Sequence, residues 1–454
     1  MGNVGIHPIL KEVAAIFNGV GKQVFLVGGA VRDLHLGKEA EDWDLATDAR
    51  PEEVTSLFRR VIPTGIKHGT VTVRYKGYSL EVTTFRSESS YSDGRHPDHI
   101  EYASTIEEDL SRRDLTMNAI ALALPGGERV DPFKGLEDIR ARRIRCVGNP
   151  EERFREDGLR PLRALRFASQ LGFTVEDATL AAIPGALSTT AKVSPERIRD
   201  ELDKTIGSPR PSLALLLMEK SGLLGLILPE LAACRGIDQK GFHRFDVLDH
   251  SLLACDYAAR TEAPQSVRLA ALFHDIGKPV VRKLDESGVW TFYQHEKVSA
   301  KMARDIGLRF RYPNAVIDRM VHLIAEHMFH YEANWTDAAV RRFIIRVGEE
   351  YLEDIYALRQ ADAYATAGIE GEPGFLAPLV SRIDGILAQN RALSLKDLAI
   401  SGMDLIAMGI APGKRIGIIL KELLESALDD PELNTREKML EIAEKLNWRY
   451  TQPQ

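Results

Sequence analysis

The stretch Val24-Phe25-Leu26-Val27-Gly28-Gly29-Ala30-Val31-Arg32-Asp33, with Glu41-Asp42-Trp43-Asp44-Leu45-Ala46-Thr47 shortly after it, decides the fold. The apolar run at 24–27 predicts a buried strand, and the two glycines after it let an anion approach backbone amides before a short helix begins. Asp42 and Asp44 are two residues apart in an alternating stretch, so a strand would place both carboxylates on one face. Hard oxygen ligands of this kind bind Mg²⁺. We therefore expect a phosphate-binding turn beside a metal site.

Together the two motifs predict metal-assisted nucleotidyl transfer. A lone Gly-Gly is more often an ordinary turn, and a lone Asp-x-Asp is more often solvated surface or a helix cap, but their order and spacing here favour function. GGAVRD followed by EDWDLAT resembles the catalytic core of the class II tRNA nucleotidyltransferase and bacterial poly(A) polymerase family. The resemblance implies that Asp42 and Asp44 are catalytic ligands of Mg²⁺ and that Gly28, Gly29 and Arg32 hold a triphosphate.

Residues 108–119 supply the next motif of that family, in which two adjacent arginines precede an aspartate. Arginine can grip phosphate oxygens with a planar two-pronged guanidinium, and a short aspartate can accept hydrogen bonds from sugar hydroxyls. The resemblance implies that Arg113 and Asp114 hold the phosphates and sugar of the incoming nucleotide. A salt-bridged helix end is the structural alternative.

The segment between these motifs has two further features. Residues 70–74 and 78–85 alternate around Lys76-Gly77 and predict a hairpin. Glu81 on its second strand is either a third acidic group near the metal or a cross-strand partner for a basic residue. Residues 92–97, Ser-Asp-Gly-Arg-His-Pro, predict a loop. The resemblance implies the full-length loop of enzymes that add the terminal adenosine, which argues against an enzyme restricted to two cytidines.

Residues 153–167 resemble the family's EDxxR segment, in which side chains rather than a template read the incoming base. We predict one helix on which Asp157 and Arg160, three residues apart, share a face and match the Watson–Crick edge of cytosine and then adenine. A helical salt bridge without a ligand is the alternative, and Pro161 would kink the helix. The further candidate nucleotide-binding residues on this segment are Arg163 and Arg166.

Two later segments are candidate RNA-binding elements. Residues 193–202 predict a capped amphipathic helix, and the resemblance implies that Arg197 braces the nucleotide pocket. In the C-terminal tail, a turn at Gly413 opens onto a helix and could bind an anion. The resemblance implies that this tail follows the elbow of tRNA, with phosphate contacts from Lys414 and Arg415. A plain helix cap is the alternative.

Histidines concentrate in the third quarter of the chain, where seven of the twelve fall between His243 and His330. The apolar run at 269–273 leads directly into an adjacent His-Asp pair. This pattern resembles the HD phosphohydrolase superfamily, in which metal-bound water attacks phosphate esters. The resemblance implies a divalent metal of unidentified kind, held by His250, His274, Asp275 and Asp362. His295 and His327 could complete a second metal position.

Composition limits the class of protein. A chain of 454 residues with 44% hydrophobic and 28% charged residues predicts a globular protein of about three domains. The net charge of −7 argues against indiscriminate nucleic-acid coating, while nine arginines against four carboxylates at 140–166 predict local RNA contact or a solvated helical face. Three distant cysteines, no signal peptide and no long apolar run predict a cytoplasmic protein without a membrane partner.

By this resemblance we expect an α+β fold. The head at residues 1–143 is predicted to hold a mixed or antiparallel sheet with helices, followed by a helical neck at 144–235, an HD domain at 236–370 and a helical tail at 371–454. The expected function is template-independent addition of CCA to the tRNA 3′ end from CTP and ATP, with a second phosphohydrolase activity. The alternatives are an A-adding enzyme, a poly(A) polymerase and, in a different class, an HD phosphohydrolase with an RNA-binding module.

Overall fold

The computed structural model describes residues 5–40, 42–66, 69–89, 99–239, 244–367, 376–388 and 394–451. The predicted loop at residues 92–97 lies outside these ranges. The chain divides into two compact units. The first is Met1–Arg235 with Asp305–Asn314, and the second is Gly236–Arg304 with Ala315–Gln454.

The strands lie mostly in the first unit. In chain order they are β1 Val24–Val27, β2 Trp43–Thr47, β3 Val61–Gly65, β4 Thr70–Tyr75, β5 Tyr78–Thr84, β6 Arg86–Ser89, β7 His99–Tyr102, β8 Ala121–Ala123, β9 Arg129–Val130, β10 Arg143–Ile144, β11 Thr174–Val175, β12 Lys283–Leu284 and β13 Trp290–Thr291. Seven of them form one sheet in the order β3-β4-β5-β2-β1-β8-β9. Its β2–β5 pair is parallel and its other pairs are antiparallel, so the sheet is mixed.

Helices fill the rest of the first unit and dominate the chain beyond it. Up to residue 235 they are α1 Pro8–Asn18, α2 Gly29–His35, α3 Pro51–Leu57, α4 Ile106–Ser111, α5 Gly135–Arg140, α6 Pro150–Glu156, α7 Arg160–Leu171, α8 Asp177–Ala181, α9 Leu187–Thr190, α10 Pro195–Ile206, α11 Pro211–Lys220, α12 Leu223–Ile227 and α13 Pro229–Ala232. After residue 235 they are α14 Val247–Arg260, α15 Gln265–Phe273, α16 Lys278–Val281, α17 His295–Arg309, α18 Asn314–Glu326, α19 Asp337–Val347, α20 Leu352–Ala367, α21 Ala377–Ala388, α22 Gly402–Ala407, α23 Lys414–Asp429 and α24 Arg436–Thr451. The predicted fold class, a mixed sheet followed by helical domains, is confirmed.

Strand β1 lies in the interior of the sheet. All four of its residues are buried, and it pairs with β2 on one side and β8 on the other. A short apolar run of this kind is typical of a strand covered on both faces. Because β1 and β2 are antiparallel and Val27 aligns with Asp44, the glycines after β1 and the start of β2 lie at the same edge of the sheet, where the candidate site lies.

The predicted hairpin is present. Tyr75 on β4 pairs with Tyr78 on β5, so the connection has two residues. Lys76 and Gly77 both have positive φ angles, 46° and 87°, as the mirror-image turns of two-residue hairpins require. The hairpin fixes the register that places Glu81 on β5 directly beside Asp44 on β2.

The prediction that Asp157 and Arg160 share one helix is wrong. Helix α6 ends at Glu156, Asp157 caps it in an extended conformation, and Arg160 is the first residue of α7. Pro161 therefore stands in the first turn of a new helix, where a missing N–H costs nothing, and it does not kink a continuous one. The two residues flank a break in the helix.

In the second unit, α14 and α15 pack against α20 and bury a core that includes Leu252, Ala254 and Leu269. The C-terminal part has its own apolar cluster, in which Leu405, Ile419 and Leu423 are fully buried. Within the described ranges, no helix combines the length and apolar character needed to cross a bilayer.

Candidate active site and metal centre

A cleft of about 620 Å³ in the first unit gathers every residue that the sequence predicts to bind nucleotide or Mg²⁺ in the head and neck segments. These residues are Gly28, Gly29, Arg32, Asp42, Asp44, Arg113, Asp114, Asp157, Arg160, Arg163 and Arg166. The lining residues that sequence reasoning missed are Arg112, Asn118, Phe167, Gln170 and Lys204. A signal existed for two of them, because Phe167 and Gln170 follow Arg163 by four and seven residues and so share its helical face.

Gly28 is the glycine that the site requires. Its φ angle is +72°, in the left-handed region that side chains rarely adopt. A Cβ atom built there would lie 3.1 Å from Arg113 Nη1 and 3.4 Å from Asp44 Oδ2. The turn between β1 and α2 therefore brings bare backbone against both a phosphate-binding candidate and a metal-binding candidate.

The two carboxylates stand at the start of β2. Asp42 precedes the strand, Asp44 is its second residue, and both face the cleft. Trp43 between them packs elsewhere: its ring stacks on Tyr78 with centroids 5.3 Å apart. This alternation is the period of two that a strand imposes, and it turns both carboxylates to one side.

The electrostatics of this edge suit a divalent cation. Burial raises the pKa of Asp44 above its ordinary value, and the nearby carboxylates of Glu81 and Asp42 raise it further, against the opposing effect of Arg113. The residues aligned with Glu81 across its neighbouring strands are Asp44 and Thr72, neither of them basic. Crowded carboxylates whose ionised form is disfavoured are stabilised by a hard cation with oxygen preference. The residues therefore fit a Mg²⁺ site.

Arg32 is held in place by two neighbouring side chains. Its Nε and Nη2 donate to the two carboxylate oxygens of Asp33, each at 2.9 Å, and its Nη1 donates to Asn118 Oδ1 at 2.9 Å. The Asn118 side chain in turn donates from Nδ2 to Asp114 Oδ1 at 3.3 Å, and the backbone carbonyl of Asn118 accepts from Arg113 Nη1 at 3.4 Å. One amide thus connects the residues expected to hold the triphosphate and the sugar.

Asp114 is fixed by a buried ion pair. Arg163 Nε donates to its Oδ2 at 2.6 Å, and the backbone N–H of Leu115 donates to its Oδ1 at 2.8 Å. Burial alone would raise the pKa of Asp114, but Arg163, with smaller effects from Arg160 and Asn118, outweighs it, and the pKa is about 2. Asp114 therefore stays ionised and can accept a hydrogen bond from a sugar hydroxyl.

Asp157 and Arg160 are each bound by a different partner. Arg197 on α10 donates from Nη2 to Asp157 Oδ2 at 2.9 Å. Arg160 forms an ion pair with Glu156 and donates to the backbone carbonyl of Arg112 at 2.9 Å. Arg197 is not one of the residues that line the cleft, so its contact with the site passes through Asp157.

The histidines and aspartates predicted for the HD site meet in the second unit. The six residues come from five places in the chain: His250 on α14, His274 and Asp275 after α15, His295 at the start of α17, His327 after α18 and Asp362 on α20. His250 Nε2 lies 3.1 Å from Asp362 Oδ1, and His274 Nε2 lies 3.3 Å from Asp275 Oδ2. Two overlapping groups have metal-ligand spacing, namely His250, His274, Asp362 and His274, Asp275, His327.

Hydrogen bonds orient three of these imidazoles. The Nδ1 atoms of His274, His295 and His327 lie 2.9, 2.9 and 2.7 Å from the backbone carbonyls of Ala271, Phe292 and Ile324. A carbonyl only accepts, so the ring proton belongs on Nδ1 and the lone pair on Nε2. Outer hydrogen bonds of this kind are typical of metal-ligating histidines.

Two further observations fit a metal ion at this centre. Asp275 Oδ1 and His295 Nε2 are buried 3.1 Å apart, and neither makes a hydrogen bond of good geometry within the described ranges. Burial would lower the pKa of His274, but Asp275 and Asp362 outweigh it and raise the pKa to about 10. A divalent cation held by His274, Asp275 and Asp362 would replace that proton and be stabilised by the same two carboxylates.

The C-terminal candidates lie elsewhere. Lys414 and Arg415 are the first two residues of α23, after Gly413, and both are exposed. Neither belongs to the cleft or to the HD centre.

The mixed sheet with its glycine turn and paired carboxylates places the first unit in the class of nucleotidyltransferase heads. Family models agree: that of the poly A polymerase head domain matches residues 24–145, that of the probable RNA and SrmB-binding site of polymerase A matches 172–235, and that of the HD domain matches 243–367. The CCA-adding enzyme of Lactobacillus johnsonii is 35% identical over 422 residues, which are 93% of this chain and 92% of that protein. The chain belongs to the CCA-adding enzyme family.

Solved structures show the same fold. The Bacillus stearothermophilus CCA-adding enzyme in complex with CTP superposes with a TM-score of 0.73 at 30% identity, covering 98% of this chain and 99% of the other. The Thermotoga maritima enzyme complexed with tRNA superposes with a TM-score of 0.60 at 20% identity, covering 97% and 96%. The predicted family is confirmed.

Proposed function

We propose that this protein adds the 3′-terminal CCA to tRNA from CTP and ATP without a nucleic-acid template. The observation that carries the proposal is the composition of the cleft. Seven arginines and lysines line it together with four aspartates, which suits a triphosphate and its metal ion. The curated relatives are named CCA-adding enzymes over almost the whole length of this chain.

In the proposed mechanism, the carboxylates of Asp42 and Asp44 hold Mg²⁺, which supplies activation of the tRNA 3′-hydroxyl and charge neutralisation at the triphosphate. Arg32, fixed by Asp33, directs its remaining N–H donors at phosphate oxygens, and the bare backbone at Gly28 lets those oxygens approach. Donors that are preorganised in this way bind the triphosphate without having to reorganise when it arrives.

Three residues select the nucleotide: Asp114, and Asp157 and Arg160 on either side of the break between α6 and α7. The ionised Asp114 accepts from the sugar, and Asp157 with Arg160 offers an acceptor and a donor fork to the base edge. Arg197 donates a hydrogen bond to Asp157. The Asp157 carboxylate therefore stays oriented while the Arg160 guanidinium adjusts from cytosine to adenine. Arg163 serves this pocket by fixing Asp114, and Arg166 lines the cleft on the same helix.

Each step of the proposed function is assigned to one domain. We propose a catalytic head at residues 1–143, a nucleotide-selecting neck at 144–235, an HD domain at 236–370 and a tRNA-binding tail at 371–454, in which Lys414 and Arg415 contact phosphates. The three cysteines are buried and free, which suits the reducing cytoplasm where tRNA is processed.

A second activity is supported by the HD centre itself. We propose that it holds one or two divalent metal ions and hydrolyses phosphate esters at nucleotide ends. A cavity of about 430 Å³ opens onto Asp275, His295, His327 and Asp362, and Lys278 and Arg359 supply positive charge beside them. The ion, held by these histidines and aspartates, would supply the activation of water that such hydrolysis requires.

The decisive experiment for nucleotide addition uses three transcripts of one tRNA, ending at the discriminator base, after the first added cytidine, or after the second. The protein is incubated with Mg²⁺, CTP and ATP. Addition to all three transcripts is the expected result. A single adenosine added only to the third transcript would make the protein an A-adding enzyme, and a long adenosine ladder on unrelated RNA would make it a poly(A) polymerase.

The HD proposal has its own assay. Release of phosphate, or ring opening, is measured on 2′,3′-cyclic, 2′- and 3′-nucleotides with a panel of divalent metals. Hydrolysis that disappears in His274→Ala and persists in Asp44→Asn supports the proposal. The absence of hydrolysis with every metal would overturn it and leave the nucleotidyltransferase proposal intact.

A further inference from the structure

Phe167 lies among three arginines of the nucleotide cleft. It sits on α7 one turn after Arg163, its residue is only 5% exposed, and it lines the cleft. The distance from its ring centroid to the guanidinium carbon is 4.0 Å for Arg166, 4.9 Å for Arg32 and 5.9 Å for Arg163. No other aromatic ring within the described ranges has more than one cation this close.

Such crowding needs a physical reason. Guanidinium groups are always charged, so three of them around one small volume repel each other. The face of an aromatic ring carries negative charge density and attracts cations within about 6 Å. Phe167 therefore offsets part of the repulsion at the point where the arginines meet.

The ring differs from a carboxylate in what it leaves available. A carboxylate accepts hydrogen bonds from the edge of a guanidinium and so competes with a phosphate for the same N–H donors. An aromatic ring attracts the guanidinium group without acting as a strong hydrogen-bond acceptor, so the N–H donors stay available to a ligand. Phe167 thus helps to orient the neighbouring guanidinium groups and leaves their N–H donors available to a ligand.

The remaining contacts fix the same two arginines from other directions. Arg32 donates to Asp33 and Asn118. Arg166 donates from Nε to Glu201 at 2.5 Å and from Nη1 to Gln170. With these partners on one side and the ring of Phe167 close by, each guanidinium has little freedom to rotate, so its unused donors keep one direction.

We propose that Phe167 is a positioning residue for the triphosphate of the incoming nucleotide. Its ring sets the orientation of Arg32 and Arg166, so that their free N–H donors point at phosphate oxygens. The inference rests on the proposed nucleotidyl transfer and deepens it by assigning the substrate group that this cluster recognises. The triphosphate is common to CTP and ATP, so the effect of Phe167 is the same for both.

The test varies the ring's charge distribution at nearly constant shape. Phenylalanines with increasing numbers of fluorine atoms are placed at position 167 of the full chain, because each fluorine weakens the negative ring face. We expect KM for CTP and for ATP to rise together with each step, to about tenfold in total, while kcat changes little. The affinity for inorganic tripolyphosphate, measured by calorimetry, is expected to fall in parallel.

Phe154 provides a matched control. It is fully buried on the neighbouring helix α6, and no cation lies over its ring within the described ranges. Fluorination at Phe154 measures any effect of packing alone and is expected to leave KM unchanged. A flat series at Phe167, an equal response at Phe154, or a change in the ratio of KM for CTP to KM for ATP would overturn the inference.

The same measurements separate this inference from the function on which it rests. An unmodified protein that neither adds nucleotides nor binds tripolyphosphate would refute the proposed nucleotidyl transfer. An unmodified protein that does both, together with a flat fluorination series, would refute only the role of Phe167.

Discussion

The proposed metal-binding role of Asp44 has a cost in the stability of the folded protein. Its carboxylate is half-buried beside Glu81 and Asp42, which disfavours the ionised form, yet the proposed Mg²⁺ binding needs that form. We expect Asp44→Asn to reduce CTP addition by roughly a thousandfold, because a neutral amide is a poor ligand at a site worth several kcal/mol. We expect its melting temperature to be equal to or higher than that of the original protein.

Single-turnover addition and thermal unfolding, monitored on the same preparations, check this prediction. Asp48→Asn is the matched control, because Asp48 directly follows β2, accepts a bond from the Gln23 backbone and lies outside the cleft. It should retain addition. Near-normal activity of either Asp44→Asn or Asp42→Ala would remove these residues from the mechanism.

Glu81 can be tested through the titration of its neighbour. The pKa of Asp44 is raised in part by Glu81, so Glu81→Gln lowers that pKa. In the proposed mechanism, addition needs ionised Asp44 and is lost as pH falls through its pKa, so the acidic limb of the pH profile should move to lower pH in the variant. A lower plateau would show in addition that Glu81 is a metal ligand.

The control for this titration is Glu12→Gln, since Glu12 pairs with Lys76 at the far end of the hairpin. Its acidic limb should stay in place. A limb that moves to higher pH in Glu81→Gln would contradict the electrostatic account of Asp44.

Residue types and spacing predicted most of the residues that line the cleft. The motifs consist of glycines, aspartates and arginines, and few roles other than binding metal or phosphate explain these residues at this spacing. Asn118 was missed for a physical reason. Its amide could hydrogen-bond almost anything, and its role depends on Arg32, which is 86 residues away in sequence. Long-range hydrogen-bond partners of this kind leave no local pattern.

Among the secondary-structure elements, the break between α6 and α7 is the feature that helical periodicity failed to predict. Arginines continue at helical spacing through residues 153–166, so the pattern predicts one helix. Gly158 and Pro161 were the contrary signals, because proline is favoured in the first turn of a helix and glycine near the end of one. The break lets Asp157 and Arg160 project from two different helix ends into one cleft.

Arg197 supports one side of that break. Arg197→Met removes the donor that fixes Asp157, so we expect errors of base selection, with more UTP and GTP incorporated, while the affinity for tripolyphosphate is unchanged. Incorporation of each nucleotide into tRNA ending in the discriminator base measures this. Arg199→Met is the control, because Arg199 pairs with Asp200 on the same helix and is absent from the cleft lining.

In the second unit, a close backbone approach positions the first turn of α17. A Cβ atom at Gly277 would lie 2.7 Å from His295 O and 2.7 Å from Ser299 N, so Gly277→Ala pushes the start of α17 away. We expect the loss of phosphoester hydrolysis because His295 moves, with nucleotide addition retained. Gly385→Ala, in open space on α21, should retain both activities. Full hydrolysis in Gly277→Ala would contradict this positioning.

For the whole molecule, the two centres draw their ligands from separate parts of the chain. The cleft uses residues between Gly28 and Lys204, whereas the HD centre uses residues between His250 and Asp362. Asp275→Asn is therefore expected to abolish hydrolysis and keep addition, and Asp44→Asn to do the reverse. Each assay on each variant checks the separation. Loss of both activities from either change would refute it.

The order of the motifs along the chain predicted the fold and the family, since each motif resembled one that the family carries at the same place in its order. The two-unit division places Asp305–Asn314 with the first unit, which no local pattern indicated. The assignment of such a short segment to a distant part of the chain depends on tertiary packing, which sequence periodicity does not encode.

The parallel pairing of β2 with β5 has a consequence for how the protein assembles. The hairpin of β4 and β5 is local and can form within about 10 µs, but Asp44 and Glu81 become neighbours only when that hairpin docks beside β2. Non-local pairing is slow, because loop entropy is lost before contacts compensate for it. We therefore expect the acidic edge formed by Asp44 and Glu81 to assemble after the hairpin, so that the proposed metal site is completed late in folding.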